Sequence, residues 1–147
     1  MYQEALSCFK HALEKTPETY DYEDERVWIL VAIGDTLFQL QQYSNAIEYL
    51  RRAYFYDPGN PFINLRLGQC ELESDCILDA KEHLLKAYMA EGSTIFEGEN
   101  LKYLQAIKEV YVYENMNVIG ACQKILFYSP TQAYVLLNAW FNDYFRS

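Results

Sequence analysis

Apolar residues recur along this chain every three to four positions, in blocks separated by short polar or proline-bearing breaks. Residues 2–15 carry Ala5, Leu6, Phe9, Ala12 and Leu13 at helical spacing, which places them on one face of an amphipathic helix. The same period predicts paired helices over residues 26–41 and 44–57, and again over 61–74 and 77–90. Pro17 and Pro58 close two of these blocks, because proline lacks the N–H that would continue the ladder and clashes inside a helix. Asn60-Pro61 opens the next block as an N-cap followed by a first-turn proline. Between the first helix and the pairs, Thr16 to Glu25 forms an acidic, tyrosine-rich linker. Asn100 is placed to cap a further helix running to about Tyr113; others follow near 115–128 and from Ser129-Pro130. The expected class is all-α.

The blocks repeat each other. Gly34 recurs as Gly68, Ala46 as Ala80, Leu50 as Leu84 and Ala53 as Ala87, each pair 34 residues apart. Ala5, Phe9, Ala12 and Pro17 keep the mutual offsets of Ala46, Leu50, Ala53 and Pro58, as a partial copy of one unit's second helix. A fixed period of this kind marks an array in which each unit buries its apolar face only against its neighbours. Gly34 and Gly68 lie mid-helix, where glycine costs about 1 kcal/mol relative to alanine. That cost is acceptable where a partner helix needs the room, and Ala46 and Ala80 are the expected partners, with Leu50, Leu84 and Phe9 filling the core one turn later.

These residues resemble the tetratricopeptide repeat. One unit supplies Ile33-Gly34, Leu37, Ala46, Leu50, Ala53 and Pro58, and the next Leu67-Gly68, Ala80, Leu84 and Ala87, with Gly92 where proline is typical. Leu30 and Asn64 occupy the place of the signature tryptophan. The resemblance covers residues 1 to about 94 and implies a right-handed superhelical array of antiparallel helix pairs, with the C-terminal helices as a cap. It divides a single domain into a partial repeat (1–17), an acidic linker (18–26), two repeats (27–60 and 61–94) and a helical extension (95–147).

A narrower resemblance rests on the run from Gly59 to Cys70, on Ala87 to Gly92 and on Ile95 to Tyr103. Together with the insert Glu18 to Glu25 and the run Ala32 to Asp35, these look like small stand-alone bacterial tetratricopeptide repeat proteins, some of which accompany secreted toxins or secretion systems. That likeness implies an intracellular partner-binding protein, of immunity or chaperone-like character.

Charge narrows the partner. The chain has 147 residues, 51% hydrophobic content with 16% aromatics, and a formal net charge of −9. This argues against disorder, and against nucleic acid, whose recognition rests on neutralising phosphates with Lys and Arg. A basic partner surface is attracted; a solvated acidic face that maintains solubility is the plainer alternative. The opening residues are amphipathic rather than an export signal, and no apolar stretch is long enough to span a membrane, so a cytoplasmic location is expected.

The resemblance also names a working surface, since the first helix of each pair lines the concave side of such arrays. Its inward residues are Trp28, Val31, Asp35 and Phe38 on one unit, then Phe62, Leu65, Gln69 and Leu72 on the next, with Arg66 beside them. An aromatic and aliphatic trough with a few polar groups suits a peptide or partner helix, although Leu65 and Leu72 read equally well as inter-repeat core. Modules that hold the acidic C-terminal tail of heat-shock chaperones use Lys and Asn on these faces; Val31 and Asp35 disfavour that mode here.

No enzyme, cofactor or metal site is expected. His11 and His83 are the only histidines, on different units, and the four cysteines lack a paired metal spacing. There is no glycine-rich phosphate loop. The segment after Ser129, with Tyr134, Val135, Leu136, Leu137, Trp140, Phe141, Tyr144 and Phe145, is apolar nearly all round and requires burial. A capping helix and a homodimer contact are the two ways to bury it, the second making the chain a self-assembling structural subunit. The array opens on a second helix, so a truncated chain or some other cover for Ala5 and Phe9 is expected.

Overall fold

The computed structural model describes residues 1–107. The helices expected near 115–128 and beyond Ser129, Cys122 and the aromatic tail with its dimer contact lie outside the described residues. The chain divides into two units, Met1–Glu91 and a second that begins at Gly92, slightly before the extension expected from residue 95.

The first unit contains α1 (Tyr2–Lys15), α2 (Glu23–Gln39), α3 (Tyr43–Tyr56), α4 (Pro61–Glu73) and α5 (Ile77–Glu91). Each helix packs on the next, and α2 also touches α4. α1 and α3 stop one residue before Thr16-Pro17 and Asp57-Pro58, as proline disfavours the helical conformation of the residue preceding it. Asn60 caps α4: its side-chain oxygen accepts from the N–H groups of Phe62 at 3.0 Å and Ile63 at 3.2 Å, with Pro61 in the first turn.

The linker is shorter than the sequence pattern suggests. A single 3₁₀ turn spans Tyr20–Tyr22, and α2 starts at Glu23. Glu23, Asp24 and Glu25 thus form the first turn of a helix, where their carboxylates sit at the positive end of the peptide dipoles. Arg26 fastens the connecting segment, donating from Nη1 to the Thr16 carbonyl at 3.0 Å and from Nη2 to Glu18 at 3.2 Å.

Two layers of core follow the repeat. Leu6, Ile29, Ile33, Leu37, Ala46, Ile47, Leu50, Leu67 and Cys70 make one buried cluster, with Phe9, Ala12 and Leu13 of α1 packed against it. Leu30, Ala53 and Ile63 make the other. So α2 supplies the cover that the packing face of α1 requires. The glycines leave room for a residue other than the one expected. A Cβ on Gly34 falls 2.5 Å from the Leu50 side chain, and one on Gly68 falls 2.7 Å from that of Leu84. Leucine, not alanine, fills the space each glycine vacates; Ala46 and Ala80 are buried in the same crossings without being the atoms in contact.

The repeat extends to the backbone of the turns. Gln41 and Asp75, again 34 residues apart, both adopt a left-handed conformation, with φ of 60° and 61°. The N–H of the following residue reaches back to the last turn of each helix, Gln42 to Leu37 O and Cys76 to Glu71 O, both at 2.9 Å. Gln41 and Asp75 also donate to Phe38 O at 2.9 Å and Leu72 O at 3.3 Å. This bonding pattern usually selects glycine at the left-handed position.

In the second unit a 3₁₀ turn spans Gly92–Phe96, and a helix begins at residue 101. Asn100 caps it as the sequence predicts, accepting from the Lys102 N–H at 3.0 Å. Phe96, Tyr103, Ala106 and Ile107 are buried.

Two stability measurements test this packing. In urea denaturation, Gly34→Leu and Gly68→Leu are each expected to cost about 1–3 kcal/mol by overpacking. Gly68→Leu is expected to cost more, because the Leu84 backbone nitrogen, 3.0 Å from the added Cβ, cannot swing aside. Gln41→Gly is expected to stabilise by about 1 kcal/mol through relief of the left-handed strain. Asp75→Gly gains less, since aspartate tolerates that region better than glutamine.

Candidate functional site

Of the nine residues expected on the working surface, Leu72 is half-buried, and the other eight fall into two groups that share Phe62. Four of them converge on Arg66. Its Nε donates to Asp35 Oδ1 at 2.7 Å and its Nη1 to Gln69 Oε1 at 2.8 Å. Its guanidinium lies 4.7 Å from the Phe38 ring centre and 5.0 Å from that of Phe62. Asp35 and Gln69 occupy equivalent places in successive repeats, so one arginine ties both units together through polar bonds and stacking. Arg66 is buried, as are Leu65 at 1% and Gln69 at 0% exposure. These three are interior residues in this chain rather than lining that meets a partner. The sequence misleads here because an arginine beside an apolar stripe looks like an offered charge, and its partner Asp35 lies a full repeat away.

Trp28 and Val31, together with Phe62, form an open surface. Trp28 is 65% exposed, held at its edge by Phe9 with ring centres 6.0 Å apart and planes at 79°. Phe62, its repeat equivalent, is 37% exposed, and Val31 is partly buried between them in sequence register. Together with Val27 they line a hollow of about 500 Å³, bordered by Glu23, Asp24, Tyr56, Asp57 and Asn60. The helical spacing of Trp28 and Val31 on α2, and the cap that orients Phe62 at the start of α4, place these side chains on one face.

A second polar cluster gathers around Glu71 and includes one residue noted in the sequence, His83. Glu71 is 1% exposed and stands 34 residues after Leu37, a carboxylate in the place of a core leucine. His83 Nδ1 and Glu71 Oε1 share a hydrogen bond of 2.5 Å. Arg51 Nη2 lies 3.7 Å from Oε2. The Tyr54 ring meets His83 edge-on at 5.1 Å, and the Tyr54 hydroxyl accepts from Lys86 Nζ at 2.7 Å. That bond, with a smaller contribution from Glu82, raises the Lys86 pKa. The signal for this cluster lies in the repeat register, where position 71 breaks an otherwise apolar column. His83 is thus a structural hydrogen-bonding partner rather than an ordinary surface residue; neither it nor Glu71 borders the α2–α4 hollow.

Cys70 is buried in the core, and burial pushes its thiol from 9.0 up to about 12. Its neutral form is therefore favoured by folding. That contribution is complete below pH 9 and is lost as pH rises toward 12.

Among the described residues no helix is long and apolar enough to cross a membrane. An array of paired helices with an exposed aromatic face is the build of a helical-repeat binding module. Residues 29–60, which cover most of α2 and all of α3, match the family model of the tetratricopeptide repeat. That pair of helices is thus a tetratricopeptide repeat, a unit from which protein–protein interaction modules are built. No curated protein and no solved structure matches the chain.

Alkylation separates the two thiol environments. With iodoacetamide at mildly alkaline pH, the exposed Cys8 is expected to be modified in the folded protein and Cys70 only after denaturation, as peptide mass spectrometry would show. Modification of Cys70 at the rate of Cys8 would mean that its core position is wrong.

Proposed function

We propose that this chain is a non-enzymatic binding protein that holds a peptide or partner segment against the α2–α4 face. The observation that carries this reading is the hollow in which Trp28, Val31 and Phe62 present apolar surface from two successive repeats. A tryptophan exposed at 65% loses favourable burial in the free chain, and a partner that covers it recovers that burial. Trp and Tyr are also the residues on which binding energy tends to concentrate. Arg66, Gln69 and Leu65 then serve the site from behind, by fixing α4 against α2. A role in masking one specific partner inside the cell, immunity- or chaperone-like, is the form of this function that the resemblance to small bacterial repeat proteins implies.

Site-specific photo-crosslinking tests the assignment. A photoreactive phenylalanine is placed at Val31, and in parallel at Phe55 or Leu78, which are exposed on α3 and α5. Adducts to one protein from position 31 that vanish on Trp28→Ala, with none from 55 or 78, are the expected result. Equal adducts from all three positions, or indifference to Trp28→Ala in a variant with unchanged circular dichroism, would move the interface off this face.

A further inference from the structure

The α2–α4 hollow combines an apolar interior with a rim of one sign. Val27, Trp28, Val31 and Phe62 supply the apolar surface. The carboxylates that border it are Glu23, Asp24 and Asp57, and among the described residues that line it there is no lysine, arginine or histidine. These carboxylates come from two different elements. Glu23 and Asp24 belong to the first turn of α2, where they also favour the helix dipole. Asp57 follows α3 and precedes α4, so that dipole does not account for its position; it accepts a hydrogen bond of 3.1 Å from Asn60. Two basic side chains stand close by: Arg66 is turned toward Asp35 and Gln69 between two rings, and Arg26, bound to the Thr16 carbonyl and Glu18, lines an adjoining hollow that shares Glu23; neither is among the described residues that line this one.

Trp28 also borders a neighbouring hollow of about 470 Å³, lined by Ala12, Thr16, Asp24, Glu25 and Ile29. Among the described residues it too contains carboxylates and no cation. An extended chain laid across Trp28 therefore meets apolar surface and negative charge on both sides of the indole. An acidic peptide would be repelled at each hollow, and an uncharged one would leave the rim's field unused.

Resting on the binding function proposed above, we infer that this site takes a peptide segment in which arginine or lysine stands beside a bulky apolar residue. The apolar side chain covers Val31 and Phe62. The cation sits among Glu23, Asp24 and Asp57 and within reach of the Trp28 ring, the aromatic that binds cations best. The chain's net charge of −9 steers such a segment from a distance, and the local carboxylates decide its register.

Selection from a library of random displayed peptides tests this on the full chain, with counter-selection against the Trp28→Ala variant. The expected outcome is enrichment of sequences carrying Arg or Lys within two residues of an aromatic or large aliphatic residue. For an enriched peptide followed by fluorescence polarisation, Trp28→Ala is expected to weaken binding on the order of 30-fold. The combined Glu23→Gln, Asp24→Asn and Asp57→Asn variant is expected to weaken it on the order of 10-fold at low salt, and little at high salt. Because two of those changes touch the start of α2, the same test is made from the other side, by replacing the peptide's basic residue with glutamine in the unmodified protein.

Trp28-dependent binders that are acidic or uncharged would overturn the ligand assignment and leave the groove function standing. A glutamine peptide that binds as well as the basic one would overturn it in the same way. A selection that yields no Trp28-dependent binder would overturn both.

Discussion

The structure depends on the contact between a glycine and a leucine at each helix crossing. Gly34 receives Leu50 and Gly68 receives Leu84, so that a large side chain stands where a Cβ would be. Only a residue without a Cβ leaves room for that leucine at the crossing. This explains why glycine persists in the middle of two helices despite its backbone entropy. With the pairs locked, α4 lies against α2, and only then do Asp35, Arg66 and Gln69 meet and do Trp28 and Phe62 share a face. The candidate site is a consequence of that packing rather than of any local motif.

Positions that obey the repeat are legible in the sequence. The helix pairs, the Asn60 and Asn100 caps and the proline stops all follow from residue type and spacing, and the structure reproduces them within a few residues. What is not legible involves pairings between residues far apart in the chain. Arg66 reads as an offered cation until Asp35 is seen beside it, 31 residues earlier. The partner of His83 is hidden in the same way until Glu71 is found buried against it. The start of α2 is hidden because Glu23, Asp24 and Glu25 look like linker, whereas at a helix N-terminus three carboxylates are favourable.

The two polar clusters differ in consequence. The Arg66 group lies along the face that carries Trp28 and Phe62, and stacks on one of the rings that lines the hollow. Its bonds turn the guanidinium toward Asp35, which offsets its charge, and toward Gln69, while the carboxylates of the rim stay around the hollow. The Glu71 group lies between α3, α4 and α5 and takes no part in lining the hollow. One tunes the surface seen from outside; the other shapes the interior of the second repeat.

That interior makes the repeats unequal partners. In an array of identical units any repeat can be duplicated, deleted or exchanged, because each interface is the same. Here Glu71 draws on His83 from its own repeat and on Arg51 from the one before. A unit moved elsewhere would carry its buried Glu71–His83 pair without the arginine that accompanies it here, and a buried polar group that loses a partner weakens a core. The order of the two repeats is thus written into their shared polar contact. The chain is fixed as one particular sequence of units rather than an interchangeable stack.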